Sequence, residues 1–181
     1  MYLGEQGEAL AKKQYQSADN MTDQMAAFRS LVHHETESAN DVIDEYYQQW
    51  SQDNLVMDKW FTVQATIPHA SAKKRVKQLF LHDDFDIKNP NRVRSLLGAF
   101  CSANPVCFHD INGFGYNLLG NYIETIDGMN PQIASRLCVP LTRWRRYNET
   151  RQQLMKSELE RLISLPKLSK DVTELVEKSL K

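Results

Sequence analysis

Apolar positions recur three and four residues apart along almost the whole chain, the spacing of helices with one buried face. A weak pattern runs from Glu5 to Gln16. Asn20, with Asp23 in the turn behind it, caps a second helix that places Met21, Met25, Phe28 and Val32 on one side. Ser38 followed by Asp41 resembles a capping box and opens a third, carrying Val42, Ile43, Tyr46, Tyr47 and Trp50. Asn54 is the expected cap of the next helix, where Val56, Trp60, Val63 and Ile67 form one stripe and Met57, Phe61 and Ala65 widen it. A stripe that wide suits a helix packed on two sides. Pro68 ends it, and a basic helix follows with Val76, Leu79 and Phe80 turned inward.

The second half continues in the same way. The segment KNPNRVRSLLGAF, from Lys88, predicts a helix with Asn89 as cap, Pro90 in the first helical position and Val93, Leu96, Leu97 and Phe100 inward. A short helical turn, a Gly-containing loop and a helix from about Tyr116 to Ile126 come next, and NPQIASRL starts another. Pro140 is expected to interrupt that pattern and begin a new helix, LTRWRRY. Leu154, Met155, Leu159, Leu162 and Ile163 share a face, Pro166 stops it, and Ser169 caps a last helix with Val172, Leu175, Val176 and Leu180. Asn-Pro recurs at Asn89, Asn104 and Asn130. Asn supplies a side-chain acceptor at the cap, and Pro loses no useful N–H at the first position. The first and third pairs lie about 41 residues apart, near the length of a helix-pair repeat. The expected fold is all-α: ten or eleven short helices in a right-handed superhelix of stacked antiparallel pairs, an armadillo- or HEAT-like α-solenoid.

Composition agrees with a folded protein of one domain, with 41% hydrophobic and 25% charged residues in 181. The net charge of −1 is not that of a nucleic-acid or acidic-membrane binder. No apolar run nears the roughly 20 residues of a membrane helix, and the first residues lack the apolar core of a signal peptide. Cys101, Cys107 and Cys138 are odd in number, contain no C-x-x-C pair and sit among apolar neighbours. They read as buried free thiols of a reducing cytoplasm.

Catalytic motifs fail when tested. HHETES begins like the H-E-x-x-H helix of zinc peptidases at His34 and Glu35, but Ser38 stands where the second histidine must be. Two solvated histidines at a helix end is the plainer reading. GFGYNLLG lacks the strand and the Lys-Ser/Thr of a phosphate loop. RWRRY mixes cations with aromatics, yet its simplest reading turns Trp144 and Tyr147 inward and Arg143, Arg145 and Arg146 to solvent. One oddity remains. Arg92 and Arg94 occupy the first turns of a helix, where the partial positive charge disfavours cations, and Arg136 sits similarly after Pro131. Arg92 and Arg94 fall on opposite flanks of the apolar stripe, so at most one is expected to face inward. Solvated arginines and an anion or carboxylate site both stay open on pattern alone.

Three segments resemble a known family: NLVMDKWF from Asn54, NPNRVRSLLGAF from Asn89 and NPQIASRL from Asn130. Together with SADNMTDQMAA near the start and RRY ending at Tyr147, they look like the C-terminal helical domain of bacterial aminopeptidase N, or alanyl aminopeptidase, a gluzincin zinc metallopeptidase. The resemblance covers nearly the whole chain, with order and spacing kept. It implies that residues 1–181 are one helical domain of a larger, monomeric, cytoplasmic enzyme. The zinc, its H-E-x-x-H ligands and the G-x-M-E-N motif would lie upstream, so this chain alone would hold no metal and no catalytic residue. The domain would close over the catalytic domain, its partner in the same polypeptide, and enclose a chamber that admits short peptides, with no role for nucleic acid or membrane. Gln132 would border the pocket for the substrate's N-terminal side chain. Arg94 and Arg136 would line the leaving-peptide side, while Arg92 is expected at the surface or a docking face. A free-standing helical scaffold for protein–protein interaction is the alternative.

Overall fold

Each predicted stripe finds a helix. The computed structural model describes residues 4–181, and their regular structure is entirely helical. In chain order these are α1 (Gly4–Ser17), α2 (Met21–His33), α3 (Ala39–Trp50), α4 (Asn54–Ala65), α5 (Ala72–Leu79) and α6 (Pro90–Val93). A π-helical turn (Arg94–Gly98) leads straight into α7 (Ala99–Ala103), followed by α8 (Pro105–Phe108), α9 (Phe114–Asp127) and α10 (Pro131–Thr142). A 3-10 turn (Trp144–Arg146), α11 (Glu149–Ile163) and α12 (Lys170–Leu180) complete the chain.

The caps show why the helices start where they do. Asn20 accepts from the Asp23 N–H at 3.0 Å. All three Asn-Pro pairs work as expected: Asn89 accepts from Asn91, Asn104 from Cys107 and Asn130 from Ile133, each with proline in the first helical turn. Two caps differ from expectation. Asp53, not Asn54, caps α4 by accepting from Leu55 and Val56 at 2.9 and 3.1 Å. Ser38 makes no capping bond; its hydroxyl donates to Glu8 at 2.8 Å and so ties α3 to α1. The charged acceptor on the neighbouring helix makes a strong bond, and the side chain is directed to it rather than to the N–H groups of its own first turn.

Pro140 does not break the chain. It sits inside α10, one turn before the end. There it removes only the bond to the Arg136 carbonyl, which a helix near its terminus tolerates. RWRRY is accordingly a 3-10 turn rather than a helix.

Buried apolar residues form one continuous core from Ala11 to Val176, and α4 packs on two sides as its wide stripe implied. Side-chain hydrogen bonds between helices recur at nearly constant separation: Arg75 to Asn40 across 35 residues, Arg92 to Asn54 across 38, Asn104 to Ala65 across 39 and Arg151 to His109 across 42. Among the described residues none spans more than 42. Each helix pair therefore bonds to the next pair and not beyond, the signature of a solenoid rather than a closed bundle.

Candidate functional site

A cleft of about 600 Å³ lies between the α6–π–α7 segment and α10, and His109, Arg143 and Tyr147 also line it. Its size is that of a small-ligand site. One wall carries Pro90, Arg94, Gly98 and Cys101, and the other carries Gln132, Arg136 and Pro140. The predicted residues Arg94, Gln132 and Arg136 thus meet in one cleft.

The two helix-start arginines separate completely. Arg94 is exposed to the cleft and folds back on its own helix: Nε donates to the Pro90 carbonyl at 3.1 Å and Nη2 to Asn91 Oδ1 at 2.8 Å. These bonds fix its direction and leave Nη1 for a ligand. Arg92 is not at the surface, contrary to expectation; it is 3% exposed. Its Nη1 lies 3.0 Å from Asp58 Oδ1, an ion pair without hydrogen-bond geometry. Its guanidinium also lies 4.8 Å from the centre of the Phe61 ring, and Nη2 donates to Asn54 Oδ1 at 3.3 Å. The residue expected to cap α4 instead receives the arginine of the next repeat. The π-helical turn begins at Arg94 itself, and such turns concentrate at functional sites.

The cleft is electrostatically one-sided. Arg94, Arg136 and Arg143 line it, and no Asp or Glu does. Among the described residues none of the three has a carboxylate within ion-pair distance, whereas Arg92 and Arg161 are both paired. Unpaired cations around a low-dielectric cleft focus a field that attracts anions. A guanidinium offers a carboxylate a planar fork of donors.

His109 and Tyr147 supply a neutral polar lining. His109 Nε2 and Nδ1 each lie 2.9 Å from a phenol, those of Tyr147 and Tyr116. Burial, aided by the Arg151 charge, holds the His109 pKa below its ordinary value. The imidazole is therefore neutral near pH 7, donating to one phenol and accepting from the other. His33 also departs from expectation. It is half-buried rather than solvated, with Nε2 3.0 Å from the Val63 carbonyl, and burial lowers its pKa. Burial raises the pKa of all three free cysteines, which keeps them protonated thiols. Among the described residues no three His, Cys, Asp or Glu side chains gather as a metal site would require.

Arg143, His109 and Tyr147 were missed as cleft residues. Gln132, Arg136, Pro140 and Arg143 follow at spacings of four, four and three, one face of a single helix. Reading Pro140 as a break hid that stripe. Arg145, by contrast, stacks on Trp144 at 4.1 Å and donates to the Ser179 carbonyl at 2.6 Å, so Trp144 and Arg145 pin α12.

Comparison with known proteins agrees with this architecture. The chain is 43% identical over 173 residues to Aminopeptidase N of Escherichia coli (strain K12), covering 96% of this chain and 20% of that protein. It is 41% identical over 174 residues to Aminopeptidase N of Haemophilus influenzae, again covering 96% and 20%. The chain thus spans about a fifth of the length of these relatives and matches their C-terminal region. The crystal structure of Legionella pneumophila aminopeptidase A in complex with aspartic acid superposes with a TM-score of 0.92 at 35% identity, over 97% of this chain and 21% of that one. A family described as a domain of unknown function (DUF3458_C), ARM repeats, matches residues 1–181, and the chain belongs to that family.

Proposed function

We propose that this chain is the non-catalytic C-terminal domain of a zinc-dependent aminopeptidase, which caps the active site, forms the substrate chamber and contacts bound peptide. The observation that carries the reading is the 600 Å³ cleft with three carboxylate-free arginines and no acidic side chain. A peptide trimmed from its N-terminus presents carbonyls and a terminal carboxylate on the leaving side, all of them acceptors, and the cleft presents donors. Arg94 and Arg136 contact that side, and Gln132 borders the N-terminal side chain. Among the described residues no His, Cys, Asp or Glu cluster gathers as a zinc site would require, and the proposal places the metal in the catalytic domain, the partner in the same polypeptide. No helix among the described residues is long and apolar enough to cross a membrane. A monomeric cytoplasmic parent is part of the same proposal.

Kinetics of the full-length protein test it. Arg94→Ala and Arg136→Ala should each raise KM for tripeptides by about tenfold, the value of one charge-assisted hydrogen bond. The rise should be smaller for aminoacyl-anilides, which have no leaving peptide. Equal effects on both substrates would refute the leaving-side role. An upstream open frame encoding H-E-x-x-H would support the reading, whereas a natural stop codon and start codon at Met1 would favour a free-standing scaffold instead.

A further inference from the structure

Two of the three cleft arginines have a role in the reading above; the third, Arg143, has none. It follows Thr142 as the C-cap of α10, and it continues the face of Gln132, Arg136 and Pro140 into the cleft. The C-terminal end of a helix carries partial negative charge and stabilises a cation there without a counter-ion. Arg143 is exposed and has no ion-pair partner among the described residues. Its neighbour Arg145 is held by Trp144 and the Ser179 carbonyl, whereas Arg143 is the arginine of RWRRY that lines the cleft. Beside it Tyr147 is held by His109, a neutral wall that adds no competing charge.

We infer that Arg143 is a specificity-determining contact for a carboxylate on the leaving part of the peptide, in the part of the cleft lined by His109 and Tyr147. The inference rests on the proposed chamber role. It adds a preference: peptides short enough to bring a free carboxylate to this part are favoured over equally long ones that lack it.

The test uses the full-length protein with Ala-Ala-Ala, its C-terminal amide, and the amide of Ala-Asp-Ala, whose carboxylate is on a side chain. The readout is the ratio of kcat/KM for acid over amide. The wild type should favour the acid by about tenfold, as one charge-assisted contact implies. Arg143→Gln should bring the ratio to about two through KM, and Arg143→Lys should recover part of it, since the charge returns without the fork. If the Asp-containing amide regains the rate in the wild type and loses it in Arg143→Gln, the site takes a carboxylate of either source. If it does not regain the rate, the terminal carboxylate is the ligand. An unchanged ratio in Arg143→Gln alongside a collapsed ratio in Arg136→Ala would overturn the role of Arg143 and leave the chamber intact. No change in Arg143→Gln, Arg94→Ala or Arg136→Ala would overturn the chamber reading itself.

Discussion

Replacing Arg92 by Met removes a charge from the core while keeping the length of the side chain. The Arg92 side chain is 4% exposed and that of Asp58 20%, with 3.0 Å between the charged atoms. At that distance the attraction is about 5–6 kcal/mol for an effective dielectric of ~20. Desolvating the two ions costs several kcal/mol each, so the intact pair is close to neutral for stability. Loss of one partner is different. Asp58 would keep its desolvation cost and lose its counter-ion, retaining a 3.4 Å contact from the Ser95 hydroxyl and its edge of solvent. That edge moves the penalty below the ~3–5 kcal/mol typical of a fully buried pair, to about 2 kcal/mol. The lost contact with Phe61 adds about 1 kcal/mol. Arg92→Met should therefore lose about 3 kcal/mol, and the double variant Arg92→Met with Asp58→Leu should return to within about 1 kcal/mol of wild type. Urea denaturation followed by tryptophan fluorescence measures this, with Trp60 one helical position from Phe61 as reporter. A single variant within 0.5 kcal/mol of wild type (about the limit at which a surface change is distinguished), or a double variant equal to the sum of the singles, would refute the account of the pair.

Two further outcomes follow from the structure. A Cβ on Gly115 would stand 2.7 Å from the Phe108 Cα and 2.8 Å from its carbonyl carbon, backbone atoms that cannot give way. Gly115→Ala should cost about 2–3 kcal/mol despite its better helix propensity, whereas Gly128→Ala, whose nearest atom is the Thr125 carbonyl at 3.9 Å, should be neutral or stabilising by up to ~1 kcal/mol in urea denaturation. His109 and His33 both have pKa values lowered by burial, so the unfolded chain takes up their protons first as pH falls. Their stability contribution is complete above the unfolded value of about 6.5 and is lost as pH falls through the folded values, a window mostly above that of the carboxylates. The urea midpoint should drop from pH 7.5 to pH 5.5 and drop less in His109→Gln; a midpoint that stays level or rises would contradict the buried neutral state.

Most of the fold was legible because it rests on local chemistry. Apolar spacing located nearly every helix, and the Asn-Pro pairs located three helix starts to the residue. What stayed hidden was set by other helices. Ser38 has the composition of a cap, but Glu8 from α1 takes its hydroxyl. Arg92 reads as a surface cation until Asp58 and Phe61 of α4 come beside it. The π-helical turn at Arg94 leaves no mark in the residue pattern. In the cleft, the resemblance to a known family pointed to Arg94, Gln132 and Arg136, which pattern alone could not separate from solvated residues. Arg143 was within reach of pattern, since its stripe is complete once Pro140 is allowed inside a helix. His109 was not, because its two phenol partners lie 7 and 38 residues away.

The central claim is that the arginine-lined cleft receives the leaving part of a peptide. The most direct measurement is a crystal structure of the full-length protein with a non-hydrolysable tripeptide analogue. The account predicts the leaving residues in the cleft, with carboxylate or carbonyl oxygens about 2.7–3.2 Å from the guanidinium nitrogens of Arg94 and Arg136. A peptide bound with its leaving residues directed away, and both arginines in solvent, would contradict it.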